Sequence, residues 1–353
     1  MPTAESPVTL NGSYGEGGGA LLKTALCMSA LTQKPLQIHS IRGATRKPGI
    51  SPEDFAVLQA LGKSTNADLE DDDIGSETLT FTPKNLPRRI HFSHDIPRSG
   101  SGRSPGNTLV VAQTLAPILA RTGAISTLSL NGETHNNNTL TFDEFELATA
   151  PAHAAQGIGI YPSIHQAGFG FAGRGQIHIE VEPSAFEPLH WSQRGGVIAA
   201  GARITACDTH SQFIADAVTA SLKLITEAGY GDQVDQIEMN GPEPGLCVTF
   251  WIKYERGYGS TSACLNRGGK PSEVVARAWE QFTTFIQTTA TVDPYLADQL
   301  LLPACLADGP TTYSTSNITR RLKTMAWVIK QFTPIAITIK GTEGTPGTIT
   351  INK

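Results

Sequence analysis

The chain has 353 residues, 39% hydrophobic and 17% charged. That balance excludes a disordered or collagen-like polymer and leaves length for two domains, or for one large domain with an insert. A net charge of −5 argues against a protein that coats long nucleic acid, although a small basic cleft is compatible with it. The five cysteines, Cys27, Cys207, Cys247, Cys264 and Cys305, are scattered and form no CxxC pair. This speaks against a zinc site and for reduced thiols. No basic-then-apolar leader opens the chain and no 18-residue apolar run occurs, so the expectation is a cytoplasmic or nuclear protein that does not enter a membrane.

Taken in chain order, residues 6–12 predict a short strand. The glycine-rich turn SYGEGGG follows and leads into a helix over 18–31. Leu36–Ile41 predicts a strand, and RGATRKPG a loop. Ser51-Pro52-Glu53-Asp54 combines a cap, a first-turn proline and acids at the positive end of a helix; Gly62 is expected to end that helix. The acidic run Glu70–Asp73 reads as a solvated loop, Thr78–Thr82 as a strand, and SGSGRSPGNT (99–108) as a second turn before a helix over 109–121. Strands are expected at Thr127–Leu130 and 175–183, the latter from its alternation. From about Ala185 to Lys270 a separate strand–helix–strand arrangement suggests an inserted small domain. Helices then follow from Ser272, over Asp293–Leu302 and over Asn317–Phe332, and two strands close the chain at 335–340 and 347–352. The class is α+β, built of repeated α/β units.

Three constellations carry possible chemistry. In Gly15-Glu16-Gly17-Gly18-Gly19 the glycines admit close approach of a ligand, and the following helix offers free amides to an anion. It is no Walker loop, because Lys23-Thr24 lacks the preceding glycine. An acid in a bare phosphate cradle would repel its ligand, so Glu16 makes chemical sense with a divalent cation or a hydroxyl between. Arg42, Arg46 and Lys47 place three cations in one loop, a pattern suited to phosphate, and Arg88, Arg89, Arg98 and Arg103 add positive charge further on. Tyr295, Asp298 and Gln299 stand at i, i+3 and i+4, which puts a ring, a carboxylate and an amide on one helix face. Each of the three also has an ordinary structural reading: a packed turn, a solvated loop, a helix surface.

GEGGG before a helix, IR….KPG after the next strand, Gln113 in LVVAQTLAPILA and YLADQLLLP occur in this order. With them the chain resembles the RNA 3′-terminal phosphate cyclase family over nearly its whole length. The resemblance implies a large domain of three sheet-plus-two-helix units, similar to the carboxyl-terminal domain of translation initiation factor 3 and to the enolpyruvyl transferases. It also implies a small inserted α/β domain, here expected at 185–271, with 1–184 and 272–353 forming the large one. The implied activity uses ATP with a divalent cation, magnesium or manganese. A histidine attacks the α-phosphate, AMP passes to an RNA 3′-phosphate, and the neighbouring 2′-hydroxyl closes a 2′,3′-cyclic phosphate. By the same resemblance Glu16 would help hold the metal and triphosphate. Gly17, Gly18, Gly19, Arg42 and Lys47 would hold phosphate, and Gln113, Tyr295, Asp298 and Gln299 would line the nucleotide site. The partners implied are ATP and an RNA 3′ end.

The chain also departs from that pattern. No histidine follows His210, and the position of the adenylated histidine falls near Arg321. Arginine holds its proton above pH ~12 and its lone pair is delocalised, so it can grip a phosphate but not attack one. Lys323 is the one nearby amine, about 200° further round the helix. After GEGGG the family's glutamine and arginine become Ala20 and Lys23. After KPG a glutamine–histidine pair becomes Glu53-Asp54. AGFGFAGRGQI (167–177) has Phe171 in place of a proline, and Arg174 interrupts its glycines. The expectation is a family member whose activity is altered or lost, with a non-catalytic RNA- or nucleotide-binding protein of RNA processing or ribosome biogenesis as the alternative.

Overall fold

The computed structural model describes residues 6–98, 105–170, 173–265 and 268–353. The first six residues of the expected 99–108 turn, Arg103 among them, lie outside the described residues, as does Phe171.

The first unit runs β1 (Val8–Asn11), α1 (Gly19–Thr32), β2 (Leu36–His39), α2 (Pro52–Thr65), β3 (Asp68–Glu70) and β4 (Leu79–Thr82). Its sheet order is β1-β2-β4-β3, with β1 parallel to β2 and the other pairs antiparallel. A parallel pair needs a crossover, which α1 provides. α2 starts on the expected cap: Ser51 Oγ accepts from Asp54 N–H, and the Asp54 carboxylate accepts from Ser51 N–H. The helix runs past Gly62 to Thr65, because Asn66, not Gly62, takes the left-handed closing position and returns its N–H to the Gly62 carbonyl.

The second unit repeats the plan with β5 (His91–Asp95), α3 (Thr108–Leu119), β6 (Ser126–Gly132), the short α4 (Phe142–Glu144), a π-turn (Phe145–Thr149), α5 (Ala150–Ala154), β7 (Ile160–Gln166) and β8 (Gly175–Val181). The order β5-β6-β8-β7 matches that of the first sheet. The third unit opens with β9 (His190–Trp191) and is then interrupted by β10 (Val197–Cys207), α6 (Ser211–Glu227), β11 (Val234–Met239), β12 (Gly245–Tyr254), β13 (Gly257–Cys264) and α7 (Pro271–Ile286). It resumes with α8 (Pro294–Leu306), β14 (Thr311–Thr315), α9 (Arg320–Phe332), β15 (Ala336–Lys340) and β16 (Gly347–Asn352). Its sheet, β9-β14-β16-β15, has the same pairing again. Three units of four strands and two helical crossovers therefore share one core, and the interrupting segment has its own sheet, β11-β10-β12-β13, and its own apolar cluster.

Two elements fall across the expected borders of the insert. β9 pairs with β14 of the large domain, although it follows residue 185. α7 buries Val274, Val275, Ala278, Phe282 and Phe285 in the core of the insert, although it follows residue 271. We infer that the insert spans residues 192–290, since the apolar cores change over between Trp191 and Ala200 and between Ala290 and Val292. The sequence carries no sharper border signal, because a two-residue strand has no readable period and α7 presents an ordinary amphipathic face.

Candidate functional site

α1, α3, α8 and α9 come from three different units and pack against one another. α1 is apolar nearly all round and is buried from Leu21 to Ala30 apart from Lys23, which suits a central helix. A cleft of about 650 Å³ opens along these helices, and the insert closes its far side with Ser262, Arg277 and Gln281. That volume is within the range of small-molecule sites.

Of the expected residues, Glu16, Gly18, Gly19, Arg42, Gln113, Tyr295, Asp298, Gln299 and Arg321 all line this cleft. Gly17, Lys47 and Lys323 do not. Gly17 is a turn residue with φ +57° and packs against Ala44. Lys47 and Lys323 are exposed. Arg46 is also exposed and lies off the cleft.

At one end stands the N-terminus of α1. Its cap, Gly18, has no side chain to offer, and the Glu16 carboxylate folds over it to accept the Ala20 N–H at 3.1 Å. The Glu16 N–H in turn donates to Thr324 Oγ1 of α9. Beside this, fully buried Asp54 accepts from Lys23 Nζ at 2.9 Å and from Arg42 Nη1 at 3.4 Å. Burial pushes the Asp54 carboxyl up, but the two cations and the hydrogen bonds from Lys23 and Ser51 outweigh it and hold the group below the usual carboxylate range. Arg42 adopts φ +54°, a costly conformation for arginine. Gly19 leaves room for these side-chain tips. A Cβ on it would lie 2.6 Å from Lys23 Nζ, 2.9 Å from Arg42 Nη1 and 3.0 Å from Asp54 Oδ1, so the ion cluster sits directly on the helix end.

At the other end α8 begins on Asp293, whose Oδ1 accepts from the Tyr295 and Leu296 N–H groups and whose Oδ2 accepts from Ser260 N–H in the insert. Tyr295 presents a ring that is 57% exposed. Gln299 has its oxygen engaged by Thr149 Oγ1, which leaves its amide hydrogens as donors. Asp298 is buried; its Oδ1 accepts from Thr319 Oγ1 at 2.7 Å, and its Oδ2 has no hydrogen-bond partner. Arg321 Nη1 stands 4.0 Å from that Oδ2. Burial raises the Asp298 carboxyl to about 7 despite Arg321 and Thr319. Glu144, on the cleft wall, is raised to about 7, and Asp293 to about 6, chiefly by burial.

Arg321 lies in the first turn of α9, just after its cap Thr319. The helix starts three residues later than the sequence suggested, because Thr319 and not Asn317 turns its hydroxyl onto the helix, accepting from Leu322 N–H. All nine histidines are among the described residues, and none lines the cleft. Nor do three His, Cys, Asp or Glu side chains stand together as metal ligands among the described residues. Glu16 would therefore hold magnesium only with phosphate oxygens and water completing the shell. All five cysteines are buried and unpaired with one another.

Sequence reasoning did not place Asn137, Glu144, Ser262, Arg277 or Gln281 in the site. Arg277 Nη2 donates to the Cys264 carbonyl at 2.6 Å and to Asn137 Oδ1 at 3.2 Å. It is the one arginine in the amphipathic pattern of α7, but only the fold of the insert turns it toward the cleft.

Comparison with known proteins gives a consistent result. The family model for RNA 3′-terminal phosphate cyclase matches residues 14–339. An RNA 3′-terminal phosphate cyclase of Gloeothece citriformis is 30% identical over 92% of this chain and 93% of its own length. Those of Methylococcus capsulatus and Pyrobaculum neutrophilum are 27% and 30% identical, over 97% and 93% of this chain and 96% and 93% of their own lengths. A solved enolpyruvyl transferase, NikO from Streptomyces tendae, overlays at TM-score 0.38 and 12% identity over 97% of this chain and 47% of its own, too slight a likeness to bear on the fold.

Proposed function

The chain belongs to the RNA 3′-terminal phosphate cyclase family, and from that premise we propose that it binds an adenine nucleotide and an RNA 3′ end in this cleft without forming the family's histidine adenylate. The observation that carries this reading is the pair Arg321–Asp298 at the position expected for the histidine, in a cleft with no histidine on its wall. A guanidinium at this place orients or neutralises a phosphoryl group but does not attack it. The alternative amine, Lys323, faces away, so the reading of a lysine adenylate has no support from its placement.

In this reading the ring of Tyr295 stacks on the base, the amide of Gln299 bonds to the base or ribose, and Asp298 on the same helix face holds Arg321 beside them. Gln113 completes the wall. Gly18 and Gly19 give a ligand phosphate access to the backbone, and Arg42 faces it. ATP, where bound, would supply an activated phosphoryl group, and Glu16 with the phosphate oxygens would hold a magnesium or manganese ion. The conventional conversion of a 3′-phosphate to a 2′,3′-cyclic phosphate is altered or lost, and a role in RNA processing as a binding protein follows.

The test is a fluorescence titration with adenine nucleotides and with short RNA bearing a 3′-phosphate, alongside an assay for cyclic-phosphate product. Binding without product supports the proposal; rapid cyclisation, or binding of neither ligand, refutes it. Tyr295→Ala should weaken nucleotide binding about tenfold, the cost of one lost stacking partner at roughly 1–3 kcal/mol, without lowering the melting temperature.

A further inference from the structure

We propose that Asp54 is a specificity-determining residue that sets the phosphate end of the cleft against a triphosphate, so that the site selects ligands with a single phosphate. This rests on the binding function proposed above and deepens it.

The argument is one of charge placement. A helix N-terminus with glycines is an anion site because its amides are free. Here two of the chain's own carboxylates crowd that end. Glu16 accepts the Ala20 N–H, and Asp54 lies over Gly19, where a Cβ would come within 3.0 Å of its Oδ1. The two cations that face a ligand there, Lys23 and Arg42, are both bound to Asp54, which is wholly buried and held ionised by them. Glu53, the next residue in the chain, also lines the cleft. Three carboxylates therefore meet two cations at the end where a triphosphate would carry close to four negative charges. Asp54 touches no ligand in this account. It acts through Lys23 and Arg42 and is a positioning residue. A single phosphate, as on AMP or an RNA 3′ end, brings only about two negative charges to the same cluster.

The experiment measures affinity for AMP, ADP and ATP, each without divalent cation, in the intact chain and in Asp54→Asn. Asparagine keeps a cap for Ser51 and removes one negative charge. In the native chain ATP should bind no more tightly than AMP. In Asp54→Asn the preference for ATP over AMP should rise at least about tenfold (about 1.4 kcal/mol), with AMP affinity nearly unchanged. A purely structural role would weaken all three nucleotides together. Should Asp54→Asn fail to fold, Glu16→Gln removes a charge from the same end and should shift the preference in the same direction. A native preference for ATP over AMP of tenfold or more, or a ratio unmoved by the substitution, overturns the inference while leaving nucleotide binding intact. If no nucleotide binds to any form, the binding function itself fails, and this inference with it.

Discussion

Three carboxyls of the cleft, Asp298, Glu144 and Asp293, are raised by burial to about 7, 7 and 6. A carboxyl whose folded pKa exceeds its unfolded value of about 4 binds more protons in the native state between those values, so stability falls as pH rises through that window. Asp54 and Asp143 are depressed and act oppositely, but their contribution is lost only as pH falls below about 4. From pH 5 to 7.5 the three raised carboxyls are opposed by His153, which burial lowers to about 4, and by His94, also lowered, because both bind fewer protons folded than unfolded; three groups against two leave stability falling as pH rises. Urea unfolding should show a higher midpoint at pH 5.5 than at pH 7.5, and Asp298→Asn should flatten the slope. A midpoint that rises over this range would contradict the assignment. The free Asp298 oxygen is the reason to expect the effect there: a buried carboxylate oxygen with no donor is costly when ionised and cheaper when protonated.

Among the elements, those with a strong period or a cap were legible in the sequence, and those without were not. α2 was readable at its start from Ser51-Pro52-Glu53-Asp54, while its end was misplaced, since glycine interrupts a helix only when something else closes it. Gly62 is an interior helix residue whose added Cβ would meet Leu69 at 3.4 Å and 4.0 Å, near ordinary contact. Gly62→Ala should thus raise stability by roughly 0.5–1 kcal/mol, read as a higher urea midpoint; a loss would show that the Leu69 contact cannot relax. β5 (HFSHD) escaped notice because its exposed face is polar and only Phe92 and part of His94 turn inward. In the cleft, the face Tyr295–Asp298–Gln299 was readable from i, i+3, i+4 spacing. The ion pairs Lys23–Asp54 and Arg321–Asp298 were not, because they join residues 31 and 23 positions apart. Only the packing of α1 on α2 and of α8 on α9 brings them together.

For the molecule as a whole, the insert interrupts the third repeat and supplies one wall of the site. A buried polar network joins it to the second unit. Arg203 of β10 pairs with Asp143 of α4 at 3.7 Å and with Glu146 of the π-turn, while His135 Nε2 stands 3.5 Å from the same Asp143. Thr205 Oγ1 donates to Asp143 at 2.8 Å. Removing the arginine leaves buried Asp143 with His135 and Thr205, so Arg203→Met should cost about 1–3 kcal/mol in urea unfolding and loosen the wall that carries Arg277. A cost near zero would mean that the insert is held by its apolar contacts alone. No helix among the described residues is long and apolar enough to cross a membrane. The central proposal is that the cleft binds nucleotide and RNA without a histidine nucleophile. Its most direct test is the intact mass of the protein after incubation with ATP and magnesium or manganese. The account predicts the unmodified mass at all times, with no AMP adduct even at saturating ATP. A covalent AMP adduct mapping to any side chain of the cleft would contradict it.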